Sequence, residues 1–146
     1  MEIISSVFKN GEAIPKKYTC NGMDLSPPLK FKNVSEDAKS LALIVDDPDA
    51  PMGTWVHWVM WNMEPSICEI SEGEQIKAEK GENDFGTLNY GGPCPPKGTH
   101  HYHFKLYALD NLLNLREGSS KKQLEKAMEG HIIEEARLVG LYKQLP

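Results

Sequence analysis

The sequence predicts a mainly β fold of the sandwich type, in one domain over residues 1–146. The segment Trp55 to Met63 (WVHWVMWNM) has apolar residues at both alternating positions. Both faces of that strand are therefore expected to be covered, as in a sandwich core. Two further segments, at 40–45 and 101–110, are also typical of strands, and helical spacing occurs only near the C-terminus.

Taken in order, the first strand is SLALIV, at Ser40 to Val45, a short apolar run that stops at an acidic turn, as a buried strand does. The strand that begins at Trp55 follows it. Residues 64–89 are then polar and interrupted by glycines. A loop of this length in a compact domain is typically functional or mobile, so we expect one of these two roles for it.

The segment HYHFKLYALD at 101–110 is predicted to be the next strand. Alternation places His100 and Tyr102 at the head of its apolar face, and His101 and His103 on the outward face. The buried face of this strand therefore begins with two polar side chains.

The segment SSKKQLEKAMEGHIIEEA, at 119–136, predicts a helix near the C-terminus. Ser120 and Gln123 have the spacing of a capping box, and Gly130 weakens the second half of the helix. The apolar face of the predicted helix is formed by Leu124, Ala127, Met128, His131 and Ile132. After the helix, a closing strand is predicted at 136–144.

The composition argues against several classes of function. The net charge is −5, with both signs interspersed, which argues against nucleic-acid binding and against a polybasic membrane patch. No apolar run approaches the roughly 18 residues of a membrane span, so no integral membrane association is expected. The N-terminal segment lacks the apolar core of a signal peptide, and we expect a cytoplasmic protein.

The three cysteines, Cys20, Cys68 and Cys94, are odd in number and widely spaced. We expect them to be reduced thiols, with Cys94 serving packing and not catalysis. The sequence contains no CxxC pair, which argues against a structural zinc site.

The first candidate site is the turn DDPDAP at 46–51, which follows the first strand and is stiffened by its prolines. One interpretation is an acidic surface turn. The other interpretation is a functional site, because the turn is followed within a few residues by Trp55 and His57. In a regular strand, His57 lies on the same face as Trp55, Val59 and Trp61, so it is expected to face aromatic surface. It is either a satisfied core residue or a ligand held by a nearby carboxylate.

The second candidate site is the Gly/Pro-rich loop 91–98 together with His100 and Tyr102. Two polar groups at the head of an apolar face, next to a rigid loop, are typical of the rim of a pocket. The backbone N–H groups of Gly91 and Gly92 are candidates for facing an anion.

Three kinds of chemistry are compatible with these residues. A metal would use His101 and His103, but no third ligand follows at a suitable spacing and both point outward, so we expect no metal and no cofactor. A nucleophilic site would use Cys94 or Cys20 with a histidine as base, but no nucleophile-elbow motif is present. The third kind of site is an anion pocket. Binding is favoured over catalysis, and whether the chain is an enzyme stays open.

Two segments carry a family resemblance: Asp47 to Trp58 and GGPCPPKGTHHYHF at Gly91 to Phe104. In this order and spacing they resemble the phosphatidylethanolamine-binding protein family, also called Raf kinase inhibitor protein-like, in its compact bacterial and archaeal branch. The resemblance extends over nearly the whole chain. It is also carried by YTCNGMDLSPPLKF, NDFG, LYALD and HIIEEARLVGLY.

The resemblance implies an antiparallel β-sandwich with short helices near the C-terminus. It also implies a small surface cavity for phosphate, acetate or phosphoethanolamine-like groups. By position, the ligand-binding residues that it implies are Asp47, Asp49, Pro51, His57, Gly92, Pro93, Pro95, His100 and Tyr102. No residue is assigned a catalytic or metal-binding role.

One position departs from the family pattern, because His101 stands where the family usually has arginine. We expect an ion pair of that arginine with Asp47 or its neighbours to be lost or made pH-dependent here. Animal members bind kinases and plant members act with transcription factors, but neither partner carries over. The leading hypothesis is a ligand-binding, regulatory protein. A small hydrolase or lyase using His57 and His100, an inhibitor of a kinase or protease, and a homodimer all stay open.

Overall fold

The computed structural model describes residues 1–144 as two antiparallel β-sheets and, within that range, one α-helix. The elements are β1 (Glu2–Ile4), a 3-10 helix (Lys16–Tyr18), β2 (Leu29–Lys32), β3 (Ser40–Asp47), β4 (Trp55–Met63), β5 (Glu69–Ile70), β6 (Glu79–Lys80), β7 (Thr99–Leu109), α1 (Lys121–Met128) and β8 (Ile132–Lys143). The small sheet has the order β1-β2-β5, and the large sheet has the order β6-β4-β3-β7-β8. The predicted mainly β sandwich is confirmed, and a single domain over residues 1–146 stays a prediction.

The main hydrophobic core lies between the two sheets. Alternate residues of each strand point into it, because successive side chains of a strand face opposite sides. Full burial of one large apolar side chain contributes about 1.5–3 kcal/mol, so this core accounts for much of the driving force for folding. Its members include Ile3, Leu29, Phe31 and Ile70 from the small sheet and Leu41, Leu43, Val45, Met60, Phe104 and Leu106 from the large sheet.

A second core covers the opposite face of the large sheet, where α1 packs. Ile44 of β3 and Val59 and Trp61 of β4 lie in it, together with Leu124 and Met128 of the helix. The prediction that both faces of β4 are covered is therefore confirmed. The molecule has three layers: small sheet, large sheet and helix.

Helix α1 begins as predicted and ends earlier than predicted. Ser120 accepts a hydrogen bond from the Gln123 N–H, and the Gln123 side chain accepts one from the Ser120 N–H, so the capping box is present. The helix ends at Met128, because Gly130 adopts a φ of 78° that turns the chain away. The predicted helical face at His131 and Ile132 is therefore wrong, since Ile132 already begins β8.

A β-bulge in β4 sets the direction of His57. Asp46 pairs with Val56 and Val45 pairs with Trp58, which leaves His57 without a partner on β3. The alternation of side chains therefore shifts at this point. The residues of β4 on the helix side are Val56, Val59 and Trp61. The predicted grouping of His57 with Val59 and Trp61 is thus wrong, because the bulge turns His57 to the other face.

The long stretch between β4 and β7 is mostly irregular, as predicted, and contributes the two-residue strands β5 and β6. No helix within residues 1–144 combines the length and the apolar character that a membrane crossing requires.

Candidate functional site

A cavity of about 320 Å³ opens where the end of β3 meets the beginnings of β4 and β7. These chain ends lie together because β3 runs antiparallel to both neighbours. The predicted site residues that line the cavity are Asp47, Pro51, His57, Pro95, His100 and Tyr102. Two segments that are distant in the sequence are therefore brought to one site.

The other predicted residues do not line the cavity: Asp49 is exposed at the surface, and Gly92 and Pro93 are buried in the loop that leads to the cavity wall. The Gly92 N–H donates to Asp24 Oδ1 at 2.8 Å, and the Pro93 carbonyl accepts from the Cys20 N–H at 3.1 Å. A Cβ on Gly92 would lie 2.4 Å from Asp24 Oδ1, so the close approach requires glycine.

The amides of Gly91 and Gly92 are not available to a ligand. The Gly91 N–H donates to the His57 carbonyl at 3.0 Å, and the Gly92 N–H is taken by Asp24. The expectation that free N–H groups of Gly91 and Gly92 face an anion is therefore wrong. The side chains of His57, His100 and Tyr102 are therefore the candidate donors to a ligand.

His57 is buried and held in one orientation. Its Nδ1 lies 2.7 Å from the Gly91 carbonyl oxygen. Because a carbonyl oxygen only accepts, Nδ1 carries a proton, and Nε2, on the other side of the ring, has no hydrogen-bond partner within residues 1–144. Burial lowers the pKa of His57 and outweighs the opposing effects of Gly91 and of nearby carboxylates such as Asp47. The nearby carboxylates therefore do not raise the pKa of His57 overall.

His100 is held in the same way by a carboxylate. Its Nδ1 lies 2.6 Å from Asp47 Oδ2, and both side chains are buried. The other oxygen of Asp47 accepts the Asp49 N–H at 2.8 Å. Both oxygens of Asp47 are therefore engaged, and the Nε2 of His100 is left at the cavity.

Tyr102 lies between the two histidines, with ring centroids 5.2 Å from His57 and 6.5 Å from His100. Its buried hydroxyl has no hydrogen-bond partner within residues 1–144. The backbone of Cys94 is close enough to affect the phenol pKa but lies outside hydrogen-bond geometry. Burial, followed by the charge of Asp47, raises the pKa of Tyr102, so the hydroxyl stays protonated and can donate.

His101 pairs with Asp49 at the surface, and the pair is ionic when the imidazole is protonated. Its Nδ1 lies 2.6 Å from Asp49 Oδ2, and its backbone N–H donates to the same oxygen at 2.9 Å. The side-chain hydrogen bond from His101 lowers the pKa of Asp49, despite some desolvation. An ion pair at position 101 was expected to be lost or pH-dependent, and the structure shows the pH-dependent form, with Asp49 as the partner.

A family model described as phosphatidylethanolamine-binding protein matches residues 4–143. The chain belongs to the phosphatidylethanolamine-binding protein family. The family resemblance predicted from the two central motifs is therefore confirmed.

Among its relatives in this family, the chain is 56% identical to a UPF0098 protein of Pyrococcus horikoshii, over 97% of this chain and 76% of that protein. A crystal structure of a phosphatidylethanolamine-binding protein homologue from Chlamydia trachomatis matches with a TM-score of 0.96 at 46% identity, covering 99% of this chain and 97% of the other. Escherichia coli YbcL, described as a member of the mammalian family, matches with a TM-score of 0.91 at 31% identity, over 99% and 98%.

The mouth of the cavity in this family member is apolar, a feature that residue-by-residue reasoning missed. Met52 is 94% exposed, Phe85 44% and Trp55 37%. Phe85 packs edge-on against both Trp55 and His57, and Asn83 fixes its backbone by accepting the Phe85 N–H. Phe85 comes from the stretch 64–89, for which the sequence predicted a functional or mobile loop. Ala50, Cys94 and Pro96 complete the unpredicted lining.

Cys20 and Cys94 form a disulfide, and Cys68 is free and exposed. The expectation of three reduced thiols is therefore wrong. The two bonded cysteines are 74 residues apart, and sequence spacing alone does not give such a pairing. The bond joins the segment after the 3-10 helix to the Gly/Pro-rich loop of the cavity.

Within residues 1–144, no three His, Cys, Asp or Glu side chains are arranged to hold a metal ion. His101 and His103 diverge to different partners, Asp49 and Arg137. A metal-free purified protein stays a prediction, which elemental analysis would test.

Proposed function

We propose that the cavity binds the phosphoryl or carboxylate group of a small anionic ligand through His57 and His100. The observation that carries the proposal is the matched orientation of the two rings. Each Nδ1 is satisfied by an internal acceptor, the Gly91 carbonyl or Asp47, and each Nε2 is left at the cavity. Two buried donors of this kind give charge-assisted hydrogen bonds to an anion. The unpartnered hydroxyl of Tyr102 supplies a third donor.

Binding is expected to be coupled to protonation of His57. The lowered pKa makes the free ring neutral at pH 7, with its proton on Nδ1, so Nε2 then only accepts. An anion favours the charged ring, in which Nε2 donates. Anion binding should therefore take up a proton and strengthen as the pH falls. Alternatively, neutral His57 would accept a hydrogen bond from a ligand hydroxyl or ammonium group.

The apolar mouth favours a ligand with an apolar or aromatic part next to its anionic group. Met52, Trp55 and Phe85 surround the opening, while the polar groups lie deeper. Apolar surroundings also strengthen the hydrogen bonds inside. Phenyl phosphate should thus bind more tightly than inorganic phosphate.

Isothermal titration at about pH 6 tests the proposal with phosphate, phosphoethanolamine, acetate and phenyl phosphate, and with ethanolamine as the control without an anion. Charge-assisted hydrogen bonds contribute about 1.5–3 kcal/mol, so His57→Ala or His100→Ala should each weaken binding by one to two orders of magnitude. His131→Ala is the matched control, because His131 also pairs with an aspartate, Asp110, but lies outside the cavity. Unchanged affinity in the double His57/His100 alanine variant would contradict the proposal.

A hydrolase or lyase is the second candidate, because an aspartate–histidine pair with a free Nε2 is also the arrangement of a general base. Steady turnover of p-nitrophenyl phosphate or p-nitrophenyl acetate that is lost in His100→Ala would favour it. Inhibition of a kinase or protease, homodimerisation and a cytoplasmic location remain hypotheses from the sequence. The disulfide bears on the location, since disulfides persist mainly in oxidising compartments.

A further inference from the structure

The Cys20–Cys94 disulfide lies at the edge of the cavity, and Cys94 is part of the cavity wall. Both cysteines are exposed at the surface. Exposed disulfides are more readily reduced than buried structural ones, and their sulfurs are open to attack by a thiolate. This bond is therefore placed where a reductant can reach it and where its loss would affect the cavity.

The disulfide joins a firmly held segment to a weakly held one. On the Cys20 side, the Thr19 hydroxyl donates to the Lys16 carbonyl at 2.8 Å, and the Asn21 amide donates to the Tyr142 hydroxyl at 2.8 Å. On the Cys94 side, no hydrogen bond within residues 1–144 joins residues 95–98 to another segment.

The weakly held segment lies between two anchors. Pro95 and Pro96 have no N–H to donate, and regular pairing resumes only at Thr99, opposite Lys143. The last anchor before Cys94 is the Pro93 carbonyl, which accepts from Cys20. The disulfide is thus the main tether of the wall formed by Cys94, Pro95 and Pro96.

We propose that the Cys20–Cys94 disulfide is a site of reversible thiol–disulfide exchange with a dithiol reductant, and that its reduction loosens the cavity wall and weakens anion binding. The effect on binding rests on the proposed function. In the exchange, a thiolate of the reductant attacks one sulfur, the protein S–S bond breaks, and the other cysteine leaves as a thiolate. The second thiol of the reductant then releases the mixed disulfide. Two electrons and two protons pass to the protein, and the dithiol is oxidised to its disulfide.

The geometry favours a dithiol over a monothiol. The hydrogen bond between the Cys20 N–H and the Pro93 carbonyl holds the two cysteines close together even without the S–S bond. A mixed disulfide with a monothiol would therefore be attacked by the neighbouring cysteine and would return to the protein disulfide. A dithiol carries its own second thiol and completes the reduction.

The expected consequence follows from preorganisation. In the oxidised protein, the wall is held in place before the ligand arrives. In the reduced protein, residues 94–98 must be ordered at the moment of binding, which reduces the net affinity. We expect phosphate to bind about tenfold more weakly to the reduced protein, a difference of about 1.4 kcal/mol. Reoxidation should restore the affinity.

The experiment compares the oxidised protein, the protein reduced with dithiothreitol, and the reoxidised protein. Phosphate affinity is measured by isothermal titration, and backbone mobility by hydrogen exchange. Reduction should speed exchange at the two hydrogen-bonded amides next to the wall, the Cys20 N–H bonded to the Pro93 carbonyl and the Gly92 N–H bonded to Asp24, and leave the small sheet unchanged. A double Cys20→Ser/Cys94→Ser variant should behave as the reduced protein, without responding to dithiothreitol. Cys68→Ser should respond as the unmodified protein does.

Each outcome decides the inference. Weaker phosphate binding and faster exchange on reduction support it. A disulfide that resists dithiothreitol in the folded protein overturns it, as does equal affinity in the two redox states. If phosphate fails to bind even the oxidised protein, the proposed anion-binding function is wrong. Hydrogen exchange alone then tests whether reduction loosens the cavity wall. Equal exchange at the Cys20 and Gly92 amides in both states would then overturn the loosening of the wall.

Discussion

Asp46 and Asp47 are neighbours in the sequence at the end of β3, and both are buried. They lie on opposite faces of the large sheet and have different roles. On the helix side, Asp46 Oδ2 accepts from Lys121 Nζ at 2.7 Å and from Lys105 Nζ at 2.9 Å. On the sandwich side, Asp47 Oδ2 lies 2.6 Å from His100 Nδ1.

The difference between the partners separates a structural ion cluster from a binding site. Each lysine side chain has only one polar group, its ammonium, and Asp46 binds that group in both Lys121 and Lys105. The two pairs hold the helix and strand β7 together, but they leave no second polar group that could bind a ligand. Imidazole has two nitrogens, so His100 satisfies Asp47 with one and keeps the other for the cavity. A buried carboxylate therefore contributes to stability in one case and orients a binding group in the other.

The largest effect expected from this comparison is on stability. Asp46→Asn removes the acceptor charge from two lysines and should lower the free energy of unfolding by about 3 kcal/mol. Asp47→Asn should cost less, because an asparagine oxygen still accepts from His100 Nδ1. Urea unfolding at pH 7 measures both changes, and a larger loss for Asp47→Asn would reverse the assignment.

The pH dependence of the Asp46 contribution has a defined sign. Burial raises the pKa of Asp46, but hydrogen bonds and charges from Lys121 and Lys105 more than offset this and hold it below its ordinary value. The ion cluster therefore stabilises the fold above about pH 4, the usual pKa of aspartate, and this contribution is lost as the pH falls below it. The stability difference between Asp46→Asn and the unmodified protein should disappear in the same range.

The next effect is on binding, and here the order of the two aspartates should invert. Asp47→Asn keeps an acceptor for His100 Nδ1 but removes the negative charge behind the ring, so the hydrogen bond that orients His100 towards the ligand is weaker. Acetate affinity should fall about tenfold, or about 1.4 kcal/mol, while Asp46→Asn should leave it within a factor of two. Tighter binding by Asp47→Asn would mean that the carboxylate mainly repels the anion.

The smallest effect is expected at Tyr102, whose hydroxyl is neutral. Tyr102→Phe removes one uncharged donor, worth about 1 kcal/mol, so acetate affinity should fall about fivefold. Because that hydroxyl has no partner within residues 1–144, stability should stay the same or rise slightly. A loss of affinity as large as that of His57→Ala would place Tyr102 at the centre of the site.

The sequence was sufficient for β3, β4 and most of β7 and β8, for the cap of α1 and for the polar head of β7, because these depend on local alternation and capping chemistry. It did not indicate the three strands of the small sheet or β6, which are short. It was insufficient where contacts between distant segments decide. The bulge at His57 appears only in the pairing of β4 with β3. The Cys20–Cys94 bond and the placement of Phe85 at the cavity mouth likewise depend on the packing of loops that are far apart in the chain.

The central claim is that the imidazole Nε2 atoms, and not backbone amides, hold the anion. Nuclear magnetic resonance titration of the His57 ring, without and with saturating acetate, tests it most directly, because acetate keeps its charge above about pH 6. Burial should place the midpoint of free His57 below the ordinary value of about 6.5, and bound acetate should raise it. The His131 signal should not respond to acetate. A His57 midpoint that stays unchanged while acetate saturates the protein would contradict the account.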